Sequence, residues 1–185
     1  MRHSFMEAIA DRLADCGIAT FRYQFPYMEQ RSPRPDPPPV LMATVRSAVA
    51  AATEEAGDLP LLAGGKSMGG RMTSTAGAEK PLPGVRGLVF FGFPLHAAGK
   101  PGAERGEHLA GVTVPMLFLQ GTRDKLAELS LLRPLLSRLG DRAQLSVVND
   151  ADHSFHLPKR SGKTDQQVLE ELAQTVGDWA SRQQP

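Results

Sequence analysis

Three residues of the types that perform acyl transfer occur in a fixed order, each just past a short apolar run. Ser67 lies in Gly65-Lys66-Ser67-Met68-Gly69, Asp124 closes Gly121-Thr122-Arg123-Asp124, and His153 ends Asn149-Asp150-Ala151-Asp152-His153. A serine hydroxyl is a weak nucleophile until an imidazole takes its proton, and a carboxylate behind the imidazole fixes the tautomer that can do so. Ser67, Asp124 and His153 are therefore the candidate nucleophile, orienting acid and base. Glycines two residues either side of Ser67 would let a strand and a helix approach closely around it. The amide of Met68, the first past the serine, is the candidate donor to the oxyanion formed during attack. The pentapeptide alone is a weak signal; three positions in sequence give it weight.

Each residue has rivals. Ser67 could cap the helix that follows it, and Asp124 could be an ordinary turn residue. Asp150 and Asp152 are carboxylates beside His153, but neighbours in sequence rarely reach the imidazole edge that needs orienting. His156 competes with His153 and is expected to be a surface or loop histidine. His3 and His96 are expected to be solvated. Gly65-Lys66-Ser67 resembles the end of a phosphate-binding loop, yet that loop needs a glycine where Pro60 stands. No pair of these histidines has metal-ligand spacing with a carboxylate or cysteine, so no metal site is expected, and no cofactor is implied.

The elements that must position these groups alternate between strand and helix. Ser4 and Glu7 fit a capping box that opens a helix bearing Phe5, Ile9 and Leu13, and Gly17 is placed to end it in a left-handed conformation. Ile18 to Phe25 alternates as a strand does, and Arg31 to Pro39 is a proline-rich loop. Val40 to Ala56 is helical, with Leu41, Val45 and Val49 on one face. Apolar runs at 59–63, 87–92, 114–120 and 145–148 predict strands. Helices are predicted over 126–139 and 165–182, the last burying Val168, Leu172, Val176 and Trp179. This alternation implies an α/β fold with a mostly parallel sheet covered on both faces.

With 185 residues and 41% hydrophobic content, one domain spanning 1–185 is expected. A net charge of +1 offers no argument for nucleic acid. Cys16 is the sole cysteine, which excludes an internal disulfide and fits a reducing cytoplasm. No run has the length of a membrane span, and Asp11, Arg12 and Asp15 interrupt any signal-like pattern at the N-terminus. A soluble cytoplasmic protein is the expectation.

Phe25-Pro26-Tyr27-Met28-Glu29, Gly64 to Arg71, Gly92-Phe93-Pro94-Leu95-His96, Gly121 to Asp124 and Asp152-His153-Ser154-Phe155 together resemble one family. It is the small, lidless, dienelactone-hydrolase-like branch of the α/β-hydrolases, and the resemblance covers nearly the whole chain. Ser–Asp–His is the chain order of that fold's triad, and G-x-S-x-G is its nucleophile elbow. Well-studied dienelactone hydrolases carry cysteine where this elbow has Ser67. The resemblance implies a serine esterase without a cap domain, acting on a small-molecule acyl substrate such as an ester, thioester or lactone. The alternative is a non-catalytic scaffold that keeps the fold and engages partners.

The resemblance also implies something missing. The family has a strand and a His-Gly-Ala-Gly-like loop before the first helix seen here; the loop supplies one oxyanion donor. The strand would lie between Ile18–Phe25 and the elbow strand. The chain therefore reads as N-terminally truncated relative to the family. Met1 is expected to be an internal methionine, preceded by about 25–35 residues on ordinary element lengths. Otherwise the two flanking strands must pair directly, or a second subunit of a homodimer must lend the strand.

Overall fold

The computed structural model describes residues 3–183, so Met1 and the expectation attached to it lie outside the described residues. Helix α1 (Ser4–Asp15), the single turn α2 (Pro26–Glu29) and helix α3 (Pro38–Ala56) precede the first strand. Strand β1 (Leu61–Lys66) then leads directly into α4 (Met68–Glu79). Next come β2 (Val85–Phe91), β3 (Met116–Gly121), α5 (Leu129–Ser137), β4 (Ala143–Val148) and α6 (Asp165–Ser181). The four strands are all parallel and lie in the order β1-β2-β3-β4.

The two central strands explain why helices cover both faces. Side chains alternate across a sheet. Leu88 and Phe90 of β2, with Met116 and Phe118 of β3, face a core shared with Leu41 and Val45 of α3, Met72 of α4 and Leu132 of α5. Val89, Phe91, Leu117 and Leu119 face the opposite way, against Ile9 and Leu13 of α1 and Val168, Leu172 and Trp179 of α6. Both faces are apolar, so each strand reads as a continuous hydrophobic run. The apolar stripes anticipated for α3 and α6 are the ones that bury.

Several local expectations need correction. Ile18–Phe25 forms no strand: a strand needs a neighbour's amides and carbonyls, and no described segment pairs with it, β1 included. It still anchors itself by Phe25, which is buried in the core of the α3/α4 side. Among the described residues β1 pairs only with β2, and its residues are half-buried, as befits a sheet edge. The capping box of Ser4 and Glu7 does not form, because the chain turns helical one residue earlier, with His3 at the cap position. The box that does form belongs to α6, where Thr164 and Gln167 bond reciprocally. Gly17 behaves as anticipated. At φ 75° it completes a Schellman motif, its amide reaching the carbonyl of Ala14 while that of Ile18 reaches Leu13.

The connection from β2 to β3 carries a 3₁₀ stretch, Glu104–Gly111, that packs on α4; no cap domain rises from it. Among the described residues no helix is long and apolar enough to cross a membrane.

Candidate active site

Ser67, Asp124 and His153 come from the carboxyl ends of β1, β3 and β4, the edge at which loops of an open parallel sheet converge. Ser67 sits between β1 and α4 at φ 52° and ψ −123°. A non-glycine residue there is strained by about 1–3 kcal/mol and persists only when its surroundings hold it. The holding is visible. The Ser67 amide donates to the carbonyl of Phe91 in the adjacent strand, and the Ser67 carbonyl accepts from Arg71. The close approach that glycines permit falls at Gly65 and Gly70 rather than at Gly69. A Cβ on Gly70 would stand 2.7 Å from the carbonyl oxygen of Gly65, whereas one on Gly69 would meet nothing within 4 Å.

The three groups touch. His153 Nε2 lies 2.9 Å from Ser67 Oγ, and His153 Nδ1 lies 2.7 Å from Asp124 Oδ2. An ionised carboxylate only accepts, so Nδ1 carries the proton toward Asp124 and Nε2 is left to accept from the serine hydroxyl. The Asp124 side chain is fully buried. It also accepts from the side-chain amide of Gln120 at 2.5 Å and, through Oδ1, from the Leu126 amide at 2.8 Å. Buried carboxylates need such donors, because an unpaired charge away from water is expensive. Met68 opens α4, so its amide is among those of a helix start that have no acceptor inside the helix.

The rivals fall elsewhere. Asp152 shapes the loop rather than facing the imidazole: its Oδ1 accepts from the amides of Ser154 and His156. Asp150 is exposed, and its backbone carbonyl accepts from Arg123. His156 is exposed and paired with Asp165 at 2.7 Å. That contact raises its pKa, chiefly through the hydrogen bond to the carboxylate. His3 is exposed, but His96 corrects the expectation of a solvated ring. It is 3% exposed, its Nδ1 lies 2.9 Å from the carbonyl of Ala97, and its Nε2 accepts from the Glu128 amide. Among the described residues there is no group of three metal-ligating side chains.

Gln120 and His108 escaped the sequence reading. Gln120 is wholly buried and ties two turns together, accepting from the Phe93 amide at 3.0 Å while donating to Asp124. A polar residue directly after the apolar run 116–119, still within the strand, was the available signal. His108 stands 2.8 Å from Ser74 Oγ, a second serine–histidine contact. It lacks a carboxylate partner at hydrogen-bond distance, and Ser74 is fully buried with its hydroxyl also at the Arg71 carbonyl. Burial, with the nearby Arg71 charge, lowers the His108 pKa to about 4. A cavity of about 240 Å³ between β4 and α6 is lined by none of Ser67, Asp124 and His153.

A strand, a strained serine and a helix, with an imidazole and a buried carboxylate behind them, describe the α/β-hydrolase class. The model of the alpha/beta hydrolase domain matches residues 1–181, and the chain belongs to that family. Solved structures share its fold. An alpha-beta serine hydrolase homologue from Coxiella burnetii superposes with a TM-score of 0.73 at 17% identity, covering 95% of this chain and 77% of its own. A serine hydrolase without a lid from Xanthomonas campestris gives 0.70 at 21% identity, covering 97% and 75%. The esterase domain of a Rhodothermus marinus protein gives 0.69 at 16% identity, covering 96% and 79%.

Proposed function

We propose that this chain is a serine hydrolase of small ester-type substrates: carboxylic esters, thioesters or lactones. The observation that carries the reading is the unbroken relay from Ser67 Oγ through the His153 ring to the buried Asp124 carboxylate, at 2.9 and 2.7 Å. Ser67 Oγ attacks the acyl carbonyl as its proton passes to His153 Nε2. Asp124 holds the ring in register and stabilises the imidazolium. The tetrahedral oxyanion accepts from the Met68 amide; the C–O or C–S bond then breaks as His153 returns the proton to the leaving group. Water, deprotonated by the same imidazole, releases the acid and restores Ser67.

Fluorophosphonate labelling and hydrolysis of short p-nitrophenyl esters test the reading together. Both should disappear in Ser67→Ala while the variant keeps the wild-type fold. Labelling that survives the substitution refutes the assignment. A folded wild-type chain that neither labels nor turns over these esters points to the non-catalytic scaffold.

A further inference from the structure

Lys66 precedes Ser67 in the elbow and takes no part in the steps above, yet its side chain ends at the other catalytic loop. Its Nζ donates to the backbone carbonyl of His153 at 2.6 Å. The ammonium also lies 4.8 Å from the Phe5 ring centroid and 5.3 Å from that of Phe155. Those rings stack with centroids 5.6 Å apart, and Phe5 meets Phe91 of β2 edge-on. One cation therefore joins β1, α1 and the loop after β4. That loop needs fastening. Asp150 and Phe155, either side of His153, adopt φ values of 60° and 63°, which non-glycine residues hold only under constraint.

We propose that Lys66 is a positioning residue: its ammonium, seated on Phe5 and Phe155, pins the His153 carbonyl and so sets the distance from the imidazole to Ser67. The inference rests on the reading of Ser67 and His153 as nucleophile and base. It gives a role to a lysine at a costly site. Cation–π contact and a charge-assisted hydrogen bond favour the ammonium here, while burial is the largest influence on its pKa and lowers it to about 8. The end of β3 contributes Asp124 and the loop after β4 contributes Asp152, both favouring the protonated form; the same loop brings the His153 ring, and α1 brings the Phe5 ring. An apolar chain of equal length would escape the cost of that burial and could pack its sulfur against the two rings, but it would leave the His153 carbonyl without this donor.

Stability and rate should accordingly separate. Lys66→Met removes a buried charge but also the donor to the His153 carbonyl, so it should melt within a few degrees of the wild type at pH 7 yet lose about ten- to a hundredfold in kcat/KM, the scale of a small displacement of a catalytic group. The ammonium is present below pH about 8 and lost above it. Wild-type kcat/KM should therefore fall through that value, Lys66→Met should show no such fall, and Lys66→Arg should move it beyond pH 10. A direct readout needs no activity: the carbonyl ¹³C shift of His153 should titrate near pH 8 in the wild type and not in Lys66→Met. A folded Lys66→Met protein with wild-type kcat/KM, or a wild-type His153 carbonyl that does not titrate anywhere from pH 7 to 11, overturns the proposal. The wild-type carbonyl titration also decides it if neither variant folds. Loss of Ser67 labelling in the wild type would instead remove the proposed hydrolase chemistry, leaving the carbonyl titration to judge the pin alone.

Discussion

Replacing Gln120 by leucine removes two buried hydrogen bonds at one stroke while nearly conserving volume. The side chain donates to Asp124 Oδ2 at 2.5 Å and accepts from the Phe93 amide at 3.0 Å, with no solvent access. A hydrogen bond to a charged group contributes about 1.5–3 kcal/mol, and a buried amide left without an acceptor costs about 1–3 kcal/mol. Their sum, about 2.5–6 kcal/mol, corresponds to a drop in Tm of about 5–24 °C for a domain of this size. Asp124 keeps the Leu126 amide and His153, so the imidazole is loosened rather than released. A loss of about tenfold in kcat/KM is expected. Thermal melts and ester kinetics measure both effects, and a double-mutant cycle with Asp124→Asn tests the connection. Residues in contact should couple by at least about 0.5 kcal/mol. A Gln120→Leu protein melting within about 1 °C of wild type, or rate effects that simply add, would refute the argument.

His153→Asn should lower the ester rate by several orders of magnitude, since Ser67 loses its base. His156→Asn should stay within about tenfold, a difference of about 1.4 kcal/mol; reversed effects in steady-state kinetics would contradict the relay. His108 predicts a pH effect on stability. Its folded pKa of about 4 lies below the ordinary 6.5, so the unfolded chain binds a proton between those values and the folded one does not. Stability should therefore fall as pH drops from 6.5 to 4, and urea midpoints at pH 4.5 and 7 should differ less in His108→Asn than in the wild type.

Some of this protein is written in short stretches of sequence. Leu41, Val45 and Val49 lie on one face of α3, and Val168, Leu172, Val176 and Trp179 on one face of α6, because a 3.6-residue repeat decides which side chains can share a core. Gly17 ends α1 because the left-handed turn there is open to glycine with little strain. The order of Ser67, Asp124 and His153 was legible because each follows an apolar run long enough to cross the sheet. Other features required the elements to dock. Ile18–Phe25 has the alternation of a strand, but alternation supplies no partner edge. The cap of α1 fell on His3 instead of Ser4, with no side-chain bond to hold it, so the residue preference at that boundary did not place the helix start. The contacts of Gln120 with Phe93, and of Lys66 with a carbonyl 87 residues away, had no local signature. Periodicity reports which face of an element is buried. Which polar groups then meet across the closed sheet edge is fixed by how the elements pack, because a buried donor must find whatever acceptor that packing brings within reach.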